Sequence, residues 1–206
     1  MFIDRLDEEE QPETPAEKPE KVEERPPSIV DTSLFKSRTV LLFGEINDKV
    51  ARAITAQLIA LSSESDKPIR LIINSPGGHV ESGDTIFDII RFIGAPVKVI
   101  GTGWVASAGA LIYVAAKKEN RFALPNTRFM LHQPSGGAMG RASDIAIEAK
   151  EIIRMRQRLN ETFARETGQP IDKITRDTER NYWMSAEEAV AYGLVGKVIG
   201  LVSEIS

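Results

Sequence analysis

The apolar positions of the chain repeat one order of elements three times: a short strand, a turn of small residues and an amphipathic helix. The predicted strand and helix pairs are Val40–Phe43 with Asp48–Ser62, Ile69–Ile73 with Glu81–Ile93, and Val97–Gly101 with Ser107–Ala116. Because strands alternate with helices at a spacing of about 30 residues, we predict α/β layers with mainly parallel strands. The continuous apolar run Ile69–Ile73 also predicts a strand that is buried on both faces.

The second half of the chain predicts short strands around one long helix. The predicted elements are strands at Arg121–Leu124, Arg128–Leu131 and Val195–Ile199, and helices at Ala142–Thr167, Ile171–Arg180 and Ala186–Tyr192. The first of these helices would be about 39 Å long, which is more than a domain of this size needs, so we expect part of it to project. Its apolar stripe predicts an oligomer interface and consists of Ile145, Ile152, Ile153, Leu159 and Phe163.

Charge and proline content set the first 27 residues apart from the rest of the chain. They hold ten acids, four bases and five prolines, whereas the other residues hold 20 acids and 22 bases. Such a segment has too few apolar side chains to offset the entropy lost on ordering. We therefore expect residues 1–33 to be a disordered extension and residues 34–206 to form one domain. Four roles remain open for the extension: a solvated tail, a processed leader, a gate over a pore or a docking tail.

Composition excludes several classes of protein. The chain has no cysteine, which excludes disulfides, thiolate catalysis and Cys-ligated metals. It has two histidines, too few for a His-rich zinc site, and we expect neither a metal nor another cofactor. Its apolar runs are too short to span a bilayer, its acidic start is unlike a signal peptide, and no basic stretch indicates nucleic-acid binding. A cytoplasmic protein is the resulting expectation.

Ser107 is the first candidate for chemistry because small residues surround it at a predicted strand-to-helix turn. A serine at the start of a helix is more often only an N-cap. Here Ala106, Ala108 and Gly109 leave room for a substrate backbone, and the following helix presents backbone N–H groups to an oxyanion. The glycine turn at residues 76–78 ends a neighbouring strand and supplies a second donor. The pattern predicts a nucleophile beside two donors.

His132 is the candidate general base for Ser107. A lone histidine at a strand end is more often a structural residue. This one ends a predicted strand just before the Gly-rich segment 135–140, where clefts form, and an imidazole is suited to accept the proton of a hydroxyl. The other histidine, His79, follows the predicted donor turn, and we interpret it as a residue of the cleft wall or of the scaffold.

Seven short motifs follow one another in an order and at a spacing typical of one known family. They are Ile73-Asn74-Ser75-Pro76-Gly77-Gly78, Val105-Ala106-Ser107-Ala108-Gly109, Leu124-Pro125-Asn126-Thr127-Arg128, His132-Gln133-Pro134, Thr167-Gly168-Gln169, Arg176-Asp177-Thr178-Glu179-Arg180 and Met184-Ser185-Ala186-Glu187-Glu188-Ala189. With them, the sequence from about Thr39 to Ile199 resembles the ClpP peptidases, the proteolytic subunits of ATP-dependent Clp proteases.

The resemblance implies a fold, an assembly and an activity. The fold would be crotonase-like, and the subunits would form a homo-oligomer of two stacked seven-membered rings. The activity would be that of a serine endopeptidase that hydrolyses unfolded polypeptides delivered by an AAA+ unfoldase. The segment from about residue 134 to residue 167 would be the handle that joins the two rings.

The resemblance also implies a role for each candidate site residue, by its position in the motifs. Ser107 would be the nucleophile and His132 the general base. The backbone amides of Gly78 and Ala108 would form the oxyanion hole.

The third member of the catalytic triad departs from the family pattern. The family has an aspartate directly after the Arg-Asp-Thr-Glu-Arg motif, and here that position is Asn181. An aspartate accepts the Nδ1–H bond of the histidine and stabilises the imidazolium, whereas an asparagine adds no charge and, if flipped, donates to Nδ1 instead. We therefore predict a slow or assembly-dependent peptidase. A substitute role for Asp177, one turn earlier on a predicted helix, has no support in the sequence.

Two further departures concern partners. The acidic extension stands where the family carries a short gating segment and a Tyr/Arg-rich helix, so we expect altered axial gating. Phe92 and Phe122 match the aromatic pocket on which the family's ATPase docks, but Arg70 occupies its first aromatic position. Because an arginine weakens an apolar pocket for a hydrophobic loop, we expect altered coupling to the unfoldase.

Two alternative functions remain open. Asn181 and Arg70 also fit a weakly active ring that supports or regulates a more active paralogue in a hetero-oligomer. Acyl-CoA chemistry on the same fold would use the Gly78 and Ala108 donors to hold a thioester enolate, but it leaves Ser107 and His132 unexplained.

Overall fold

The computed structural model of the protein describes residues 28–137 and 139–205 as seven helices and seven strands. The helices are α1 (Ile29–Lys36), α2 (Asp48–Glu64), α3 (Val80–Phe92), α4 (Ala108–Tyr113), α5 (Ala142–Thr167), α6 (Ile171–Asp177) and α7 (Ala186–Tyr192). The strands are β1 (Thr39–Phe43), β2 (Ile69–Ser75), β3 (Val97–Ala106), β4 (Arg121–Ala123), β5 (Arg128–Leu131), β6 (Tyr182–Ser185) and β7 (Lys197–Val198). Short 3₁₀ turns lie at Lys118–Asn120 and Val202–Glu204.

The strands form one sheet in which most neighbours are parallel. The order β1-β2-β3-β4-β7 is parallel throughout. β3 pairs with β4 along its first half and with β5 along its last three residues, and β6 adds to β5 in the antiparallel direction. The carboxyl ends of β3 and β5 therefore lie side by side. The prediction of an α/β fold with mainly parallel strands is confirmed.

Helices α2, α3 and α4 cover one face of the sheet and enclose the core. On α2, the apolar residues at helical spacing are buried, among them Ile54, Leu58 and Leu61. β2 alternates between buried and half-buried positions, with Arg70 and Ile72 among the half-buried ones. The prediction that this strand is buried on both faces is therefore wrong. The reason is that only a small second cluster around Ile100, Phe122 and Ile199 covers the other face.

Two elements have no counterpart among the predicted ones. α1 lies at the end of the extension that was expected to be disordered, and Ser28 starts it with a capping box to Asp31. The rest of that extension, residues 1–27, lies outside the described residues. β6 is the second such element, and the helix predicted to reach Arg180 ends instead at Asp177.

The long helix α5 has a projecting half and a packed half. Residues 142–151 are exposed, whereas Leu159 and Phe163 are buried by their own chain. The prediction that these two side chains belong to an oligomer interface is therefore wrong, while Ile145 and Ile153 remain exposed as predicted. No helix in the described part of the chain is long and apolar enough to cross a membrane.

A buried ion pair joins the end of α5 to β4. The Arg121 side chain is 1% exposed, and its guanidinium donates to the Ala116 carbonyl (2.7 Å) and to Glu166 Oε2 (2.8 Å). Glu166 also contacts Arg91 (2.7 Å) and Arg165 (2.9 Å). Burial raises the pKa of Glu166, but hydrogen bonds from Arg165 and Arg91 and the charges of Arg91 and Arg121 outweigh it and hold this pKa below its usual value.

We predict that Glu166→Gln lowers the free energy of unfolding by about 3 kcal/mol, because Arg121 keeps a buried charge and loses its partner. The difference in the free energy of unfolding between wild type and Glu166→Gln is complete above the usual Glu pKa of 4.5. It is lost as the pH falls through the lowered pKa of Glu166 in the folded state. Urea unfolding at neutral and at strongly acidic pH measures both effects.

The control for this variant is Glu148→Gln, on the exposed half of the same helix, which should change stability by less than about 0.5 kcal/mol. If wild type exceeds Glu166→Gln in the free energy of unfolding by the same amount at both pH values, the stabilising role of the Glu166–Arg121 ion pair is contradicted.

Candidate active site

Ser107 stands on a strained turn between β3 and α4. Its backbone angles are φ 55° and ψ −122°, a conformation that residues other than glycine rarely adopt. The Ser107 amide donates to the Met130 carbonyl (2.9 Å), and the Ser107 carbonyl accepts from the Leu111 amide (3.1 Å). The side chain makes no capping hydrogen bond to α4. The reading of Ser107 as only an N-cap therefore does not hold.

The small residues around Ser107 allow the neighbouring loop to pack against the turn. A Cβ on Gly77 would lie 2.6 Å from Ser107 Cβ and 2.9 Å from the Ala106 carbonyl oxygen. Gly109 is also buried, and a Cβ there would lie 3.3 Å from Ser75 Cβ. The structure thus gives Gly77 and Gly109 a packing role, whereas for Gly109 the sequence had suggested room for a substrate.

His132 follows β5, and its ring reaches the Ser107 hydroxyl. His132 Nε2 lies 2.8 Å from Ser107 Oγ, a hydrogen-bond distance. The next residue fixes the backbone there, because the Gln133 amide donates to the Thr178 carbonyl (2.7 Å) and its side chain donates to the Glu179 carbonyl (2.9 Å). With Nε2 facing the hydroxyl, Nδ1 is the atom that a third group would have to hold.

The predicted donor turn is anchored to the segment between β1 and α2. The Ile46 amide donates to the Gly77 carbonyl (2.8 Å), and the His79 amide donates to the Ile46 carbonyl (2.9 Å). Between them Gly78 has φ 144°, and a Cβ there would lie 2.2 Å from the Ile46 oxygen. The amides of Gly78 and Ala108 donate to no acceptor within the described residues. An oxyanion hole requires two such unused N–H groups that point to one place.

Asn181 and His132 flank the last residue pair of the β5–β6 ladder, Leu131 and Tyr182. The antiparallel register does not continue past that pair, because the Gln133 amide donates to the Thr178 carbonyl. In the part of the chain that the structure describes, neither the Asn181 side chain nor His132 Nδ1 takes part in a hydrogen bond.

Comparison with known proteins decides the family. The sequence model described as Clp protease matches residues 23–201. The chain belongs to the Clp protease family. It is 59% identical to ATP-dependent Clp protease proteolytic subunit 2 of Gluconobacter oxydans, over 100% of this chain and 94% of that protein. It is also 59% identical to proteolytic subunit 3 of Rhizobium meliloti, over 85% of this chain and 90% of that protein.

Solved structures of the Clp protease family share the fold. ClpP1 from Listeria monocytogenes superposes with a TM-score of 0.79 at 52% identity, and an Asn-to-Asp mutant of ClpP1 from the same organism superposes with a TM-score of 0.81 at 53% identity. Each match covers 86% of this chain and 100% of the other. The ClpP fold is therefore confirmed.

Asp177 is engaged in a cluster of its own in this Clp protease subunit. Its Oδ2 accepts hydrogen bonds from the Lys173 ammonium and from the Tyr192 hydroxyl (2.7 Å). Burial and this bond raise the pKa of Tyr192 far above its ordinary value. Lys173 also lies over the ring of Tyr182. The cluster holds the start of β6 and leaves Asp177 no contact with His132 among the described residues.

His79 belongs to the scaffold at the starts of α2 and α3. Its Nδ1 lies 2.8 Å from Ser82 Oγ, which donates to Asp48 Oδ1 (2.6 Å), and its Nε2 lies 3.1 Å from Glu81 Oε2. The hydrogen bond from Ser82 and the neighbouring His79 lower the pKa of Asp48. This arrangement agrees with the structural interpretation of His79.

A narrow apolar pocket of about 20 Å³ adjoins Ser107 and His132. Its other lining residues are Val80, Ala108, Leu111, Pro134, Leu159 and Phe163. Apart from Ala108, the sequence analysis assigned none of these to the site. For two of them the sequence held a usable signal, because the spacing of Leu159 and Phe163 places them one turn apart on the same face of α5. The pocket has room for about one water molecule.

We predict that Gly78→Ala lowers the free energy of unfolding by at least about 2 kcal/mol, because its φ is unfavourable for alanine and its Cβ would overlap the Ile46 carbonyl. Urea unfolding measures the loss. Gly137→Ala is the matched control, since nothing lies within 4 Å of its Cβ position, and its stability should stay within about 0.5 kcal/mol of wild type. Equal stability of the two variants would contradict the packing described for this loop.

Proposed function

We propose that the protein is a serine endopeptidase subunit of a barrel-shaped Clp protease, with Ser107 as the nucleophile and His132 as the general base. The observation that carries the proposal is the 2.8 Å contact between His132 Nε2 and Ser107 Oγ, made by a serine on a strained turn. Both named relatives are proteolytic subunits of ATP-dependent Clp proteases, which supports the same class of reaction here.

The geometry supports acyl transfer in two steps. Ser107 Oγ attacks the carbonyl carbon of an extended peptide while His132 Nε2 takes the hydroxyl proton. The amides of Gly78 and Ala108 donate to the oxygen of the tetrahedral intermediate. The imidazolium then protonates the leaving amine. In the second step His132 activates a water that hydrolyses the ester on Ser107.

Asn181 sets the rate in this proposal. The amide oxygen of Asn181 can accept the Nδ1–H bond and fix the tautomer of His132, but it adds no negative charge to stabilise the imidazolium. The lack of a hydrogen bond between Asn181 and His132 among the described residues supports an activity that depends on assembly. A movement of the segment between α6 and β6 would complete the triad.

An AAA+ unfoldase is the proposed partner. An apolar cavity of about 340 Å³ lies on the outer face of the sheet and offers a docking place for a hydrophobic loop, with Arg70 on its wall. Phe122 packs beside this cavity, whereas Phe92 is 82% exposed and lies outside it. In the proposed homo-oligomer of two stacked rings, a neighbouring subunit would supply Phe92.

A second candidate function is a weakly active ring that supports a more active paralogue. It is favoured by the lack of a hydrogen bond between Asn181 and His132 in the described part of the chain and by Arg70 at the docking cavity. Activity of a mixed assembly that survives Ser107→Ala in this subunit would favour this candidate over the first.

We predict that a fluorophosphonate probe labels the assembled protein at Ser107, because the probe needs an activated serine hydroxyl. Ser107→Ala should abolish labelling and His132→Ala should slow it by at least about 100-fold, the scale of general-base catalysis. Mass spectrometry of the labelled peptide measures both. Ser135→Ala is the control and should label like wild type. Absence of labelling in every assembled state would refute the catalytic role.

We predict that Asn181→Asp raises kcat for a fluorogenic peptide by at least about tenfold, since the carboxylate stabilises the imidazolium that forms during attack. Steady-state kinetics on the pure assembled protein measures the change. Asn126→Asp, at an exposed turn, makes the same chemical change away from the site and should leave kcat unaltered. A kcat that stays constant or falls in Asn181→Asp would contradict the role given to this position.

A further inference from the structure

A basic cavity of about 320 Å³ lies between the end of α1, the start of β2 and the C-terminal 3₁₀ turn. Five of its nine lining residues are cationic: Lys36, Arg38, Lys67, Arg70 and Lys98. No carboxylate lines it among the residues that the structure describes. Such a concentration of one charge attracts an acidic ligand.

The two arginines of the cavity, Arg38 and Arg70, donate most of their hydrogen bonds to neutral groups. Arg38 donates to the carbonyls of Ser65 (2.9 Å) and Lys67 (2.8 Å), and Arg70 donates to the Ser37 carbonyl (2.9 Å). Carbonyl groups satisfy the donors without carrying a negative charge. Arg38 has one ion pair, at 3.4 Å to an exposed glutamate at position 64. The neutral partners of these two arginines therefore leave their positive charge at the wall of the cavity.

The basic cavity continues into the apolar cavity described above. Both are lined by Arg70, Val202 and Ile205. Val202, at the shared edge, and Leu201, in the apolar cavity beside it, are 66% and 69% exposed. The two cavities together form one surface with an apolar half and a basic half, and its complement is a segment that joins apolar residues to a run of acids.

The N-terminal segment of this chain has that pattern. Phe2, Ile3 and Leu6 precede the uninterrupted acidic run Asp7-Glu8-Glu9-Glu10. We propose that residues 2–10 bind this surface of their own chain, with the acidic run on the basic cavity and the apolar residues directed to the apolar cavity.

The reach is ample. Lys36 ends α1, so the basic cavity lies about one helix length, roughly 12 Å, from Ser28 at the start of that helix. The 18 residues from position 10 to position 28 can span up to about 60 Å. A tethered segment also acts at a high effective concentration, so modest electrostatic contacts suffice for binding.

The consequence rests on the proposed function. The apolar cavity is the surface proposed for the loop of an AAA+ unfoldase, so the bound segment would compete with the partner for it. Binding of the segment itself does not require any activity of Ser107.

Disulfide trapping tests the proposal directly, because the chain has no cysteine of its own. Gln11→Cys, just after the acidic run, is combined with Lys67→Cys at the basic cavity, in full-length protein carrying Ser107→Ala so that the segment is not removed by the proposed peptidase activity. The matched control combines Gln11→Cys with Lys150→Cys, an exposed lysine on α5. Under mild oxidation at low salt, the Lys67 pair should form a monomer-sized crosslink at least about tenfold faster than the control.

Two further results are expected if charge drives the binding. The crosslinking rate of the Lys67 pair should fall to the control rate in about 0.5 M NaCl, where exposed charges are screened. It should also fall when Glu8, Glu9 and Glu10 are changed to Gln. Equal crosslinking rates for the Lys67 and Lys150 pairs would overturn the proposal. So would a rate of the Lys67 pair that is unaffected by salt and by the Glu-to-Gln substitutions. A crosslinked band of twice the monomer mass would assign the segment to a neighbouring copy and overturn the same-chain placement.

Discussion

The contact between the glycine loop and the Ser107 turn is the constraint on which the rest of the site depends. The loop has no space for a side chain at either glycine, since a Cβ on Gly77 would meet Ser107 Cβ and a Cβ on Gly78 would meet the Ile46 carbonyl. The loop is hydrogen-bonded in turn to the β1–α2 connection. Because a closely packed interior leaves little freedom of movement, the loop with its unused amide and the strained serine keep fixed positions relative to one another.

Much of this arrangement could be predicted from the sequence, because the signals are local. Helices α2, α3 and α5 have strong apolar periodicity, and Gly168 ends α5 in the left-handed conformation that favours glycine. Ser107 and His132 stood out as reactive residue types next to turns of small residues. Parallel strands end at one edge of the sheet, which is why two residues 25 positions apart come within 2.8 Å.

The parts that could not be predicted depend on partners distant in sequence. β6 has four residues and no clear alternation, and its pairing with β5 stabilises it. Arg121 reads as the polar start of a short strand, but it is buried because Glu166, 45 residues away, neutralises it. Leu159 and Phe163 belong to a helical stripe that is equally compatible with an interface, and only the position of α5 on its own domain decides which surface they cover.

In that position α5 connects the pocket beside Ser107 to an exposed surface. Its packed half carries two walls of the narrow pocket, and its projecting half, centred about 20 Å away along the axis, reaches into solvent. On the packed half, Asn160 accepts a hydrogen bond (3.0 Å) from Thr178, in the segment that leads to Asn181. Because a helix is stiff over this distance, a tilt of the projecting half would also move Leu159 and Phe163 at the pocket and Asn160 at its contact with Thr178. In the proposed assembly, a neighbouring subunit that contacts the projecting half would thereby act on the surroundings of Ser107.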